Sequence, residues 1–137
     1  MKHIVDTAWK GNMKFEADLD GHKVMVDGSV DVGGENAGPG PKRLLMVALA
    51  GCTGMDVVSI LKKMHVELDY FNLKIEGDLS DEHPKVYNSM HIIYQFKGKD
   101  LDPEKLRKAV DLSQEKYCGV AATLRKALDL TYEIQIL

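Results

Sequence analysis

The residues in this sequence best suited to chemistry at neutral pH are two cysteines, Cys52 and Cys118, because an ionised thiol is both a nucleophile and an oxidisable group. Sixty-six positions separate them, which is neither the Cys-x-x-Cys of a redox helix nor a zinc-ligand spacing. Only the fold can bring them together. Cys52 lies in the apolar run Leu44 to Leu61, where a free cysteine by itself reads as a small buried hydrophobe. Cys118 is followed by Gly119 and a helical stretch, so helix amides stand ready to favour its thiolate, against the simpler reading of a buried junction residue. Asp56, four residues after Cys52, shares its helical face and would raise a thiol pKa. Its structural alternative is to cap a buried polar contact across a dimer or to accept from a backbone amide. The five histidines, His3, His22, His65, His83 and His91, offer no pair at helical ligand spacing, and none is assigned a metal.

The elements that must position these thiols follow from periodicity. Met13, Phe15, Ala17 and Leu19 alternate with polar residues before Asp20-Gly21 and a second run, Lys23 to Val26, which predicts a hairpin with a primed turn. Gly33 to Gly40 reads as a loop, and Pro41 suits the start of a helix that runs to Met64. That helix is apolar on nearly every face and ends in Lys62-Lys63, so it is predicted to be a buried central helix, covered by its own sheet and by a second subunit. Leu73 to Leu79 and Met90 to Phe96 predict a second hairpin. Asp102-Pro103 opens a helix reaching Lys116, a short helix covers Val120 to Leu128, and Leu130 to Ile136 closes the chain as a strand. The order is α+β, with antiparallel sheets around the long helix and a single domain over residues 1–137.

Composition excludes several classes. With 45% hydrophobic and 28% charged residues the chain is not globally disordered, and a net charge of −3 offers no general attraction to nucleic acid or anionic lipid. Two cysteines are too few for a secreted disulfide scaffold, and MKHIVDTAW lacks the apolar stretch of a signal peptide, giving a cytoplasmic reading. Asp56, Thr53 and Ser59 within the apolar run argue against a membrane span.

Two separate motifs carry a resemblance. Gly40-Pro41-Lys42-Arg43-Leu44-Leu45-Met46-Val47-Ala48-Leu49-Ala50-Gly51-Cys52-Thr53, followed by Asp56-Val57-Val58, resembles the long-helix motif of the OsmC/Ohr family of osmotically inducible and organic-hydroperoxide-resistance proteins. Ser113-Gln114-Glu115-Lys116-Tyr117-Cys118-Gly119-Val120 is similar to the family's second-cysteine segment, and the likeness is strongest to the YhfA-related subgroup. The resemblance implies an OsmC-like fold and an intertwined homodimer with both cysteines at the subunit interface. It further implies that Cys52 is the peroxidatic thiol acting on an organic hydroperoxide and that Cys118 resolves the sulfenic acid as a disulfide. A dithiol reductant such as a lipoyl protein would restore the thiols, with no cofactor.

The chain departs from that pattern in its charges. Where the resemblance calls for a glutamate on the first turn of the Cys52 helix and an arginine from the N-terminal strands, this sequence carries Lys42 and Arg43 on the turn and only Lys10 and Lys14 between Trp9 and Phe15. Two cations at a helix N-terminus oppose the macrodipole by several tenths of a kcal/mol each, roughly. Either they face solvent or they supply positive charge to a thiolate. Three readings therefore stand: a thiol peroxidase, a dimeric module binding a small hydrophobic molecule or anion beside Cys52, and an interaction protein whose cysteines fill its core.

Overall fold

The computed structural model describes residues 1–137, which form two compact units, Met1–Leu45 and Met46–Leu137. The first unit is an antiparallel meander of β1 (Asp6–Trp9), β2 (Phe15–Leu19) and β3 (His22–Val26). Asp20 and Gly21 join β2 to β3 with φ of 55° and 86°, the two positive values a primed hairpin turn requires. After β3 the chain wraps around one carboxylate. Asp27, 2% exposed, accepts from the amide of Gly28 at 2.7 Å and from those of Glu35 and Ala37 at 3.1 Å. Gly34 permits the wrap, since a Cβ there would lie 1.6 Å from the Gly28 carbonyl oxygen. Lys14 pairs with Glu35 at 2.6 Å. The glycine-rich stretch is thus a loop, as its composition predicts, and it ends in a single 3-10 turn, Pro41–Arg43, with proline at its first position.

Helix α1 (Leu44–Lys63) leads into the second unit, followed by β4 (Tyr70–Leu79), β5 (Tyr87–Lys97), α2 (Pro103–Leu112), α3 (Gly119–Leu124) and β6 (Asp129–Ile136). The second sheet corrects the expectation of purely antiparallel sheets. β4 and β5 are antiparallel, but β5 and β6 run parallel. The two helices between β5 and β6 form a crossover long enough to return the chain in the same direction, which a hairpin loop is not. Alternation along β5 puts Met90, Ile92, Tyr94 and Phe96 inside, against Leu49, Val57 and Leu61 of α1 and Leu106, Ala109 and Val110 of α2. Each large aliphatic or aromatic side chain so buried contributes about 1.5–3 kcal/mol. Gly54 lets α1 approach β4, where an added Cβ would sit 3.2 Å from Leu73 Cδ1.

One expectation about helices changes. The helix predicted to continue to Lys116 ends at Leu112, and Ser113–Tyr117 forms a wider π-turn. Within the chain α1 is buried along one stripe only, Leu49, Thr53, Gly54, Val57 and Leu61, whereas Met55 is 75% and Val47 63% exposed. One sheet floors one side of a cylinder, so an all-round apolar helix keeps an uncovered face. By length and composition alone, Pro41–Lys63 would also suffice to cross a membrane.

Candidate cysteine site

The second unit brings together two segments far apart in sequence. Cys52 stands half-buried on α1, and Cys118 stands at the junction between the π-turn and α3, buried to 3% exposure. The π-turn sets that junction, because the Cys118 amide donates to the Ser113 carbonyl five residues back, at 2.7 Å. Cys52 is close enough to bear on the Cys118 thiol electrostatically. Both cysteines are free.

Cys118 caps α3 with its own sulfur, since the amide of Ala121 donates to Sγ at 3.3 Å. Such a donation favours a thiolate, as the sequence suggests, yet the net effect is the opposite. Burial pushes the Cys118 thiol up to about 11, outweighing the Ala121 amide, and the neighbouring Cys52 and Asp56 push in the same upward direction. Cys118 is therefore a protonated thiol near pH 7.

Around the pair lies a polar cluster inside an otherwise apolar core. Thr53 Oγ1 is 2.6 Å from Tyr94 Oη and 2.7 Å from Ser113 Oγ. Gln114 Nε2 donates to Tyr94 Oη at 2.7 Å and to Thr53 Oγ1 at 3.3 Å. Ser113 Oγ donates to Asp56 Oδ2 at 2.9 Å. Arg125 donates through Nη1 to the Gln114 carbonyl at 2.7 Å and through Nη2 to the Gln114 side-chain oxygen. Every buried side-chain nitrogen and oxygen has a partner, which removes the penalty of about 1–3 kcal/mol that each orphaned group would carry.

Of the residues singled out from sequence, Cys52, Cys118 and Asp56 come together here. Asp56 accepts from the Ser113 hydroxyl of its own chain. Lys10, Lys42 and Arg43 belong to the first unit, where all three are exposed, and Lys14 is committed to Glu35. Sequence reasoning assigned no role to Thr53, Tyr94, Ser113, Gln114 or Arg125. A signal existed for the first of these: a threonine three residues before an aspartate on an apolar helix face must find polar partners elsewhere in the core.

The family model for OsmC-like protein matches residues 33–133. Protein YhfA of Escherichia coli (strain K12) is 34% identical over 116 residues, covering 85% of this chain and 84% of the relative. A hypothetical protein from Aquifex aeolicus VF5 superposes with a TM-score of 0.84 at 29% identity, covering 100% of this chain and 98% of the other. The organic hydroperoxide resistance protein OhrB of Bacillus subtilis superposes with a TM-score of 0.69 at 19% identity, over 98% of each chain, a likeness of fold.

Proposed function

This chain belongs to the OsmC-like protein family, and from that premise we propose that it is a cysteine-dependent peroxidase reducing organic hydroperoxides in the cytoplasm as a homodimer. The observation that carries the proposal is the proximity of Cys52 to Cys118, whose backbone amide is pinned to the Ser113 carbonyl at the end of the π-turn. The Cys52 thiolate attacks the distal oxygen of ROOH, the O–O bond breaks, and the alkoxide takes a proton to leave as ROH. Cys52 is left as a sulfenic acid. The Cys118 thiol then attacks that sulfur, the S–O bond breaks, and the thiol proton departs with the hydroxyl as water, leaving the Cys52–Cys118 disulfide. An external dithiol returns both to thiols.

The contrast between the two thiols supports this division of labour. A half-buried Cys52 is open to a small oxidant, whereas a buried and protonated Cys118 is held in reserve for its neighbour. The apolar face of α1 around Val47, Met55 and Val58 supports the homodimer. A second reading, a dimeric member that binds a small hydrophobic or anionic ligand beside Cys52 without efficient turnover, draws on the Asp56 carboxylate beside the pair and on the absence of arginine from the N-terminal strands.

Stoichiometric cumene hydroperoxide followed by mass spectrometry separates the two. The peroxidase reading expects one intrachain disulfide in the wild type and a sulfenic acid at Cys52 in Cys118→Ser. Oxidation of neither cysteine faster than free cysteine leaves the binding reading in its place.

A further inference from the structure

The cluster beside the cysteines has a direction, and it follows from counting hydrogens. Ser113 Oγ donates to a carboxylate oxygen of Asp56, so the single hydrogen of that hydroxyl is committed there. Ser113 Oγ must then accept from Thr53, which commits the single hydrogen of Thr53 Oγ1. Thr53 in turn must accept from Tyr94, which commits the phenolic hydrogen. Tyr94 Oη accepts from Gln114 Nε2, and Gln114 Oε1 accepts from Arg125. Each hydroxyl has one hydrogen and each is spent in the same sense. The result is a chain of polarised bonds, all pointing one way, from the Arg125 guanidinium to the Asp56 carboxylate.

The two charged ends grip one short segment. Asp56 holds the hydroxyl of Ser113, and Arg125 holds both oxygens of Gln114. Those are the first two residues of the π-turn, whose closing bond runs from the Cys118 amide to the Ser113 carbonyl. Bonds aligned head to tail strengthen one another in a low-dielectric interior, so loosening one end weakens the grip of the other.

We propose that Arg125 is a positioning residue of the Cys52–Cys118 pair, acting through Gln114, Tyr94, Thr53 and Ser113 in concert with Asp56 to hold the π-turn that delivers Cys118 to Cys52. This rests on the reading of the two cysteines as a redox pair and not on the identity of the oxidant. The relevant step needs no peroxide: protein dithiol and glutathione disulfide give the protein disulfide and two molecules of glutathione, one S–S bond breaking and one forming.

The experiment measures the effective molarity of the pair in glutathione redox buffers at neutral pH, for wild type and variants, with thermal melts alongside. Arg125 is exposed, so Arg125→Gln opens no cavity in the apolar core, and the melts register what the loss of its two bonds to Gln114 costs the fold. It is expected to lower the effective molarity by about tenfold, the scale of a hydrogen bond to a charged group, with Arg125→Lys intermediate because an ammonium cannot match the two-pronged hold. The decisive reading is the same substitution in Asp56→Asn and, separately, in Thr53→Val, which interrupts the chain while keeping its shape. In both backgrounds the effect of Arg125→Gln should shrink to less than about threefold, whereas residues that share no partner act additively. Equal factors in all three backgrounds overturn the relay, as does no effect in the wild type. A wild type that forms no Cys52–Cys118 disulfide overturns the redox-pair reading and the relay with it, while a normal wild-type disulfide with an unaffected Arg125→Gln overturns the relay alone.

Discussion

Cys118 and Ser113 are joined at 2.7 Å by a bond from the amide of the first to the carbonyl of the second. Ser113 also gives its hydroxyl to Asp56 on α1, at 2.9 Å. One residue therefore ties the backbone that carries the second cysteine to the helix that carries the first. The placement of Cys118 is set by α1 as much as by its own segment.

Cys118 should alkylate slowly near neutral pH. With its thiol pushed up to about 11, the reactive thiolate grows about tenfold per pH unit until that region is reached. Iodoacetamide labelling read peptide by peptide between pH 7 and 11 measures this in the wild type. A profile for Cys118 that levels off near pH 8 contradicts the burial argument. The sign for stability follows as well: the folded value lies above the ordinary 9.0, so the contribution of this thiol is complete below about 9 and is lost as pH rises through about 11.

Lys42 and Arg43 are exposed on their 3-10 turn, and exposed charges are screened by salt. Neutralising them as Lys42→Gln or Arg43→Gln, each with Cys118→Ser, is therefore expected to leave the pH dependence of Cys52 alkylation unchanged at 0.15 M ionic strength, where the Debye length is about 8 Å. A curve displaced by about one unit, equivalent to about 1.4 kcal/mol, would assign that cation to the thiol after all.

The wild type should sediment as a dimer at low micromolar concentration and Met55→Glu as a monomer. Met55 is 75% exposed in the single chain, so the substitution costs the fold little. In a two-fold interface the same residue is lost twice, at about 1.5–3 kcal/mol for each buried methionine. A monodisperse wild-type monomer removes the homodimer.

Asp27→Asn should weaken the first unit at pH 7 and matter much less at pH 3. Burial pushes the Asp27 carboxyl up, but the amides of Ala37, Glu35 and Gly28 and the charge of Lys14 together outweigh it, so the net is below the ordinary 3.8. A lowered value means stability that is present above about 3.8 and lost as pH falls through the folded value. Thermal melts of both proteins at the two pH values read the difference. Equal gaps at both would show that the loop does not depend on that charge.

The sequence was most legible where local chemistry and the fold agree. Asp20-Gly21 announced its turn through the φ values it adopts, and the alternation of Met90, Ile92, Tyr94 and Phe96 announced the inner face of β5. Alternation reads alike in either direction, so nothing in Leu130 to Ile136 distinguished a parallel β6 from an antiparallel one. Ser113 and Gln114 keep helical spacing, which hid the widening at the π-turn. The partnership proposed for the two thiols was accessible only by resemblance, because Cys52 and Cys118 stand on segments that only tertiary structure brings near each other. Arg125 was invisible: a surface arginine on a short helix looks like any solvated charge until its partners are known.

Tyr94 has two employers. Its ring stacks with Phe71 at 6.4 Å and meets Tyr132 edge-on at 6.2 Å, inside the core, while its hydroxyl lies 2.6 Å from Thr53 beside the cysteines. Selection for thermostability and selection for thiol chemistry therefore draw on the same side chain. In a library evolved for heat resistance alone, substitutions that refill the aromatic layer around Phe71, Tyr94 and Tyr132 will shift the hydroxyl with the ring. Such a lineage should drift in thiol reactivity without a single change at either cysteine, and the drift should track the aromatic layer rather than the melting temperature.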